Sequence, residues 1–410
     1  MEQLTFEDLA PGFRPEPWTA ERAASVSGKE DADGSRQTER TAGWKGTKRE
    51  RQYLYWLSQT PGIGAVTIKR LWDRYGSFET IYNMEETALA DQGFLKQAQA
   101  TEYGRWKNCL GRCIEAYERL QDKGIDFVTF LDDQYPKRLE PLYGSPAVLY
   151  KRGRFPHEDR PTAAIIGARD CSCYGRETAG QLGEILAEAG IQVISGMALG
   201  IDGAGHSGCL KGGGDTYAVL GCGVDICYPR SHFSMYMEIP KKGGILSEFA
   251  PGQAPKAGNF PARNRIISGL ADGIIVVEAR EKSGSLITVD WGLEQGKEIF
   301  AVPGRSSDCL SRGCNRLIQQ GAGIVTCPED ILDFFHIPER KRGGVDEKKK
   351  NGLAKKEKMV YSCLDLQPKY IDRIVEDSGL SLGECLTLLL ELELGGYIIQ
   401  TAGHYYAKKL

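Results

Sequence analysis

Ala163-Ala164-Ile165-Ile166-Gly167-Ala168-Arg169 is a short apolar run that ends in a glycine turn, and the pattern recurs at Gln192-Val193-Ile194-Ser195-Gly196 and Tyr217-Ala218-Val219-Leu220-Gly221, with a similar apolar run at Ile274-Ile275-Val276-Val277. A further run, Ile299-Phe300-Ala301-Val302, leads into Pro303-Gly304. These runs are rich in β-branched residues and lack polar alternation, as strands buried on both faces do. Helical spacing fills the intervals, clearest in Leu182, Ile185, Leu186 and Ala189 ahead of Gly190. Alternating strand and helix predicts a Rossmann-like α/β core, a parallel sheet with helices on both faces and a ligand site beyond the strands' carboxyl ends. The glycine turns lie there: Gly167-Ala168-Arg169 with Ser172, Ser195-Gly196-Met197-Ala198-Leu199-Gly200-Ile201-Asp202, Gly221-Cys222-Gly223 and Ser283-Gly284-Ser285. Glycine lets backbone N–H groups approach phosphate oxygens, the following helix adds the positive end of its dipole, and arginine adds a planar charged fork.

Outward from this core the chain divides by composition. Residues 1–50 are polar and aperiodic, which predicts a disordered tail. In it Trp18 and Trp44 are docking anchors or simply isolated aromatics. Residues 51–134 carry helical periodicity, and Pro61-Gly62-Ile63-Gly64 between two apolar helical faces predicts a SAM-like or helix-hairpin-helix-like unit. The turn amides of such a unit hold a DNA phosphate; a purely structural role is the alternative. Tyr135-Pro136 and Ser145-Pro146 open the core unit, 135–336, as an extended bridge, because a residue before proline is held out of the helical region. Residues 337–358 form a charged linker. In 359–410, Ser381-Leu382-Gly383-Glu384 caps a leucine-rich helix ended by Gly395-Gly396 and followed by a hairpin, a winged-helix pattern. That unit binds duplex DNA, a partner or its own core; the acidic character of residues 382–394 repels phosphate and favours protein contact.

At 410 residues the chain is long enough for two or three domains. Its 52 basic and 55 acidic residues give a net charge of -3, so any nucleic-acid site is a local patch on a near-neutral body. Twelve cysteines include no Cys-x-x-Cys pair, and Cys171-Ser-Cys173 is too close for a zinc knuckle. Free thiols and no charged-then-apolar leader predict a cytoplasmic protein. No segment reaches the ~18 to 20 apolar residues that span a bilayer. The expectation is no membrane partner, no metal and no cofactor.

The order of motifs adds an identification. Tyr135-Pro136-Lys137-Arg138-Leu139, Gly167-x-Arg169-x-x-Ser172-x-Tyr174-Gly175, Ser195-Gly196-x-Ala198-x-Gly200-Ile201-Asp202-x-x-x-His206, Tyr228-Pro229, Ser247-Glu248, Phe260-Pro261-x-Arg263-Asn264-Arg265-Ile266-Ile267, Val277-Glu278-Ala279 and Ser283-Gly284-Ser285-Leu286-Ile287-Thr288 resemble the DNA-processing protein A family, also called Smf (DprA/Smf). The resemblance implies a Rossmann-like domain that binds single-stranded DNA, protects the incoming strand, dimerises, and loads RecA recombinase in natural transformation, without catalysis. It departs from the family at Ala168, where a serine or threonine is usual, and in the long polar head.

On this reading the DNA-binding set is Gly167, Arg169, Ser172, Ser195, Gly196, Gly200, Lys256, Phe260, Arg263, Asn264, Ser283, Gly284 and Ser285. Arg263 and Arg265 point about 200° apart on a helix. Arg263 is expected to face phosphate and Arg265 to pair with an acid such as Glu278, with the opposite division open. Asp202 and His206 have the spacing of a metal or acid–base pair but the ordinary roles of cap and buried partner. Glu278 is either a general base or half of a buried ion pair. Lys256 is a phosphate contact or a solvated loop lysine. The competing function is nucleotide hydrolysis, as in lysine-decarboxylase-like enzymes of this fold. Against it, the loop at Ser283 carries no catalytic carboxylate in its place, and no Gly-x-x-x-x-Gly-Lys-Ser/Thr loop exists.

Overall fold

The computed structural model describes residues 46–337, 354–365, 368–401 and 403–408. Trp18, Trp44 and most of the charged linker lie outside them.

Helix α1 (Lys48–Gln59) starts before the expected Arg51 because Thr47 caps it, its Oγ1 accepting from the Glu50 amide at 3.2 Å. Glu50 in turn accepts from Ser77 Oγ and the Phe78 amide, both at 2.7 Å, so it belongs to the helical unit rather than to a tail. The unit continues with α2 (Ala65–Tyr75), α3 (Phe78–Asn83), α4 (Glu86–Asp91), α5 (Gln97–Lys107) and α6 (Leu110–Asp122). Trp56 is its fully buried centre, donating to the Trp106 carbonyl at 2.8 Å and packing edge-on against Tyr82 and Tyr103. The hairpin between α1 and α2 is fastened by Gln99, whose side-chain amide donates to the Gly62 carbonyl at 2.6 Å.

A nine-stranded sheet follows, in the order β1-β2-β6-β5-β4-β3-β7-β8-β9. Its strands are β1 (Asp126–Thr129), β2 (Val148–Gly153), β3 (Thr162–Ile166), β4 (Gln192–Ser195), β5 (Thr216–Val219), β6 (Gly244–Ser247), β7 (Gly273–Val276), β8 (Glu298–Ala301) and β9 (Gly323–Ile324). From β6 across to β9 the pairings are parallel, and β1 and β2 add an antiparallel edge. The bridge predicted at 135–150 is thus partly strand, and Lys137–Leu139 is a 3-10 turn. The sheet is covered by α7 (Cys173–Glu188), α8 (Ile201–Lys211), α9 (Phe233–Lys242), α10 (Asn259–Leu270), α11 (Leu286–Glu294), α12 (Arg312–Gln319) and α13 (Glu329–Phe334). Because the chain passes from β3 through β4, β5 and β6 on one side and returns to β7 on the other, the topological switch point lies between β3 and β7.

Helices α7 and α8 meet backbone to backbone. A Cβ on Gly208 would sit 1.9 Å from the Gly180 carbonyl oxygen, and one on Gly183 would sit 2.3 Å from that of Gly205. Small residues here draw the turns after β3 and β4 together.

The last unit comprises α14 (Lys355–Ser362), β10 (Lys369–Tyr370), α15 (Ile371–Ser378), α16 (Leu382–Leu394), β11 (Ile398–Thr401) and β12 (Tyr405–Lys408). Gly379 ends α15 in the left-handed region (φ 67°), and Ser381 with Glu384 forms the expected capping box of α16. The hairpin gains an unforeseen third strand, in the order β10-β12-β11. Val360, Ile374, Cys385, Leu389 and Leu392 fill the core of this winged helix.

Gly208→Ala is expected to lower stability by about 1–3 kcal/mol through overpacking. The control Gly111→Ala, whose added Cβ meets nothing within 4 Å on the exposed side of α6, should be neutral or stabilising by about 0.5 kcal/mol; urea unfolding of the two variants checks the contrast.

Candidate functional site

The carboxyl ends of β3, β4 and β5 open into a pocket lined by Arg169, Gly196, Ala198, Leu199, Leu220, Gly221, Cys222, Tyr228, Pro229, Phe260 and Arg263. Its floor is a buried cation. Arg263, on the first turns of α10, is 5 % exposed and donates to the Gly196 carbonyl at 2.9 Å and to the Val219 carbonyl, so it ties the ends of β4 and β5 together. Burial pulls its guanidinium down to about 10, which leaves it charged at neutral pH. Asp202 lies within its field and accepts from the amides of Gly196 (3.1 Å) and Ala198 (3.4 Å), although burial raises its own carboxyl. A side chain on Gly196 would meet the Arg263 guanidinium at 2.4–2.6 Å, and Met197 beside it takes a left-handed conformation (φ 56°). Gly200 has φ 77°, and a Cβ there would lie 2.3 Å from the Ala168 carbonyl oxygen.

The walls are planar groups. The Arg169 guanidinium is exposed and stands 5.2 Å over the Phe260 ring, and the Tyr228 ring lies 5.7 Å from Phe260 at 31°. A cation, two aromatic faces and a second cation below make a slot suited to a flat ring attached to an anion.

Of the residues singled out in the sequence, Arg169, Gly196, Phe260 and Arg263 therefore line one pocket. Others are committed elsewhere. Ser195 is buried and donates its hydroxyl to the Ile165 carbonyl at 2.6 Å. Ser172 presents both its amide (2.8 Å) and its hydroxyl (2.5 Å) to Glu278, so no donor there is left for a phosphate. Gly167 and Gly200 lie beneath Arg169 as spacing residues rather than as lining. Asn264 is buried, accepting from Arg263 Nε at 3.2 Å and turned toward the Gly284 carbonyl at 3.4 Å. Ser283, Gly284 and Ser285 close on themselves, with the two hydroxyls 2.8 Å apart, and Lys256 is exposed outside the lining.

The expected pairing of Arg265 with Glu278 is corrected. Arg265 makes a bidentate bridge to Glu248, with both N–O distances at 2.6 Å, and donates to the Gly144 carbonyl. Glu278 caps α7 instead, where its carboxylate meets the positive end of the helix. This fills the switch point between β3 and β7, the usual anion seat of the fold, and the pocket lies to one side, over β4 and β5. His206 is fully buried. Thr216 Oγ1 donates to the Val193 carbonyl (3.0 Å), so it accepts from His206 Nδ1 (2.7 Å), which fixes the tautomer; Nε2 has no hydrogen-bond partner among the described residues. Sequence reasoning assigned no role to Tyr228 or Leu199; the Tyr228-Pro229 pair was the available signal. Among the described residues there is no His, Cys, Asp and Glu cluster fit for a metal, and no helix long and apolar enough to cross a membrane.

Fold and topology together define a Rossmann-like α/β protein with an arginine- and aromatic-lined pocket at the carboxyl ends of its strands. The DNA recombination-mediator protein A model matches residues 126–336, and the DprA winged helix domain model matches 346–404. Protein Smf of Synechocystis sp. is 31% identical over 396 residues, covering 87% of this chain and 99% of that protein. DNA processing protein DprA of Streptococcus pneumoniae is 37% identical over 276 residues, covering 63% of this chain and 98% of the relative. The X-ray structure of DprA from Streptococcus pneumoniae superposes with a TM-score of 0.61 at 32% identity, over 69% of this chain and 97% of that one. The chain belongs to the DNA recombination-mediator protein A family.

Burial holds His206 down at about 3, below the ordinary value of about 6.5. The unfolded chain therefore binds the extra proton first, and stability falls as the pH drops through the window from about 6.5 to about 3. The loss is expected to approach about 1.4 kcal/mol per pH unit from this group alone. Urea titrations at several pH values should give a shallower acid slope for His206→Gln than for the parent.

Proposed function

We propose that this protein binds single-stranded DNA in the pocket over β4 and β5. The observation that carries the reading is the stack of Arg169 over Phe260 beside Tyr228, above the buried Arg263. Bases unstacked from a single strand offer flat faces to Phe260 and Tyr228, while Arg169 meets the phosphate between them. Base–aromatic stacking tolerates any sequence, so the expected binding is non-specific. A duplex keeps its bases stacked inside and cannot fill the slot. Lys256, exposed on the segment leading to α10, would add a phosphate contact along the strand. The similarity to DNA processing proteins supports this assignment.

On this reading the protein coats an incoming strand in the cytoplasm and, as a dimer, delivers it to RecA recombinase. Catalysis is not part of the proposal. The carboxylate nearest the switch point, Glu278, is spent on capping α7, and the turn at Ser283 carries only hydroxyls that bond each other. A nucleotide-hydrolysing site would need an acid free to reach a substrate.

Fluorescence anisotropy with a labelled oligothymidine tests the assignment. Arg169→Ala should weaken binding about tenfold or more and reduce its salt dependence, and Phe260→Ala should cost about 1–3 kcal/mol. A matched duplex should compete poorly. Equal affinity of parent and Arg169→Ala would move DNA binding away from this pocket. Removal of residues 354–410 is expected to leave most single-strand affinity intact, and loss of nearly all of it would transfer the site to the winged helix.

A further inference from the structure

Helix α16 presents a row of leucines to solvent. Leu382, Leu386, Leu390 and Leu394 are 51, 40, 56 and 80 % exposed, although Cys385, Leu389 and Leu392 on the neighbouring face already supply the winged-helix core. The four stand at successive i, i+4 positions, so they form one continuous apolar ridge roughly 18 Å long. Ordinary surfaces scatter single leucines; a contiguous ridge of this kind marks a contact surface.

The charge around the ridge identifies what it meets. Helix α16 contains Glu384, Glu391 and Glu393 and no Lys, Arg or His. Glu384 is balanced by Lys356 at 2.9 Å, but the last turn holds Glu391 and Glu393 with no basic residue. The negative end of the helix dipole coincides with these carboxylates. In a winged helix this second helix of the helix-turn-helix is the one that enters a DNA groove, and here it repels phosphate. A second copy of α16 would bring no cation to face Glu391 and Glu393.

We infer that the Leu382–Leu394 ridge is a docking surface for a basic amphipathic helix of another protein. The partner's apolar side chains interdigitate with the leucines, and its Lys or Arg side chains meet Glu391 and Glu393. A helix of about three turns spans the ridge. This surface is separate from the proposed strand pocket and does not depend on it.

The test uses the full chain and a fluorescein-labelled helical peptide of Leu and Lys in amphipathic order, with a Leu/Glu peptide of the same pattern as control. The Leu/Lys peptide should bind the parent, weaken with salt, and lose about tenfold or more in Leu386→Ser/Leu390→Ser, as removal of two central apolar contacts predicts. The Glu391→Gln/Glu393→Gln variant, which keeps the leucines, should lose mainly the salt-dependent part. Unchanged thermal melting and oligothymidine binding establish that both variants are folded. The proposal is overturned if the parent does not bind the Leu/Lys peptide, if both peptides bind alike, or if the leucine variant binds as the parent does. It is also overturned if sedimentation shows a dimer that Leu386→Ser/Leu390→Ser dissolves, which would make the occupant a second copy, or if that variant abolishes duplex DNA binding.

Discussion

The site depends on one buried guanidinium. Arg263 holds the ends of β4 and β5 through the carbonyls of Gly196 and Val219. A cation this deeply buried is costly unless its donors are met and a counter-charge lies nearby. The surrounding sequence satisfies both conditions. Position 196 has no side chain because the guanidinium lies against its backbone. Asp202, anchored on two amides of the same turn, supplies negative charge within reach. Phe260, one turn earlier on α10, is thereby set at the pocket wall, where Arg169 covers it. A second cation close to the first is repelled in isolation, and the Phe260 ring gives Arg169 a face to rest on.

Two acids, Glu248 and Glu278, divide the remaining work. Glu248 locks Arg265 in a two-point bridge and so attaches α10 to the end of β6. Glu278 sits on the amino end of α7. In dinucleotide-binding relatives of this fold that helix end receives a phosphate; here the chain supplies its own anion. The ligand pocket is displaced from the switch point for an identifiable reason, which is the filling of the usual seat from within.

Much of the architecture was legible in the sequence. The apolar runs at Ala163, Gln192, Tyr217, Ile274 and Ile299 became strands within about a residue of expectation, because strands buried on both faces show themselves by composition alone. β2 and β6 were harder to see: β2 ends in Lys151, Arg152 and Gly153, where Lys151 pairs with Asp126 of β1 and Arg152 donates to the Tyr236 hydroxyl, and β6 offers only Ile245 and Leu246 as an apolar run. At the site, the residue types were readable but their targets were not. Arg263 and Arg265 are both arginines on one helix, and which carboxylate each would meet depends on how α10 packs against β6 rather than on spacing. The hydroxyls of Ser172 and Ser195 looked like phosphate donors, yet each has a partner inside the fold. A serine in a glycine turn fits both uses equally well from sequence.

The glycine contacts between α7 and α8 carry a thermodynamic consequence. The turns that bear Arg169 and Gly196 lead directly into these helices, and the Ile201 amide bonds the Ala168 carbonyl at 3.2 Å across them. With backbones this close, the turn bearing Arg169 and the turn bearing Gly196 are held to one another, so this part of the pocket lining is preformed. A preformed receptor of this kind loses little conformational entropy when it is filled. The ordering cost of association then falls on a flexible ligand rather than on these turns, and it grows with each unit of that ligand held in place.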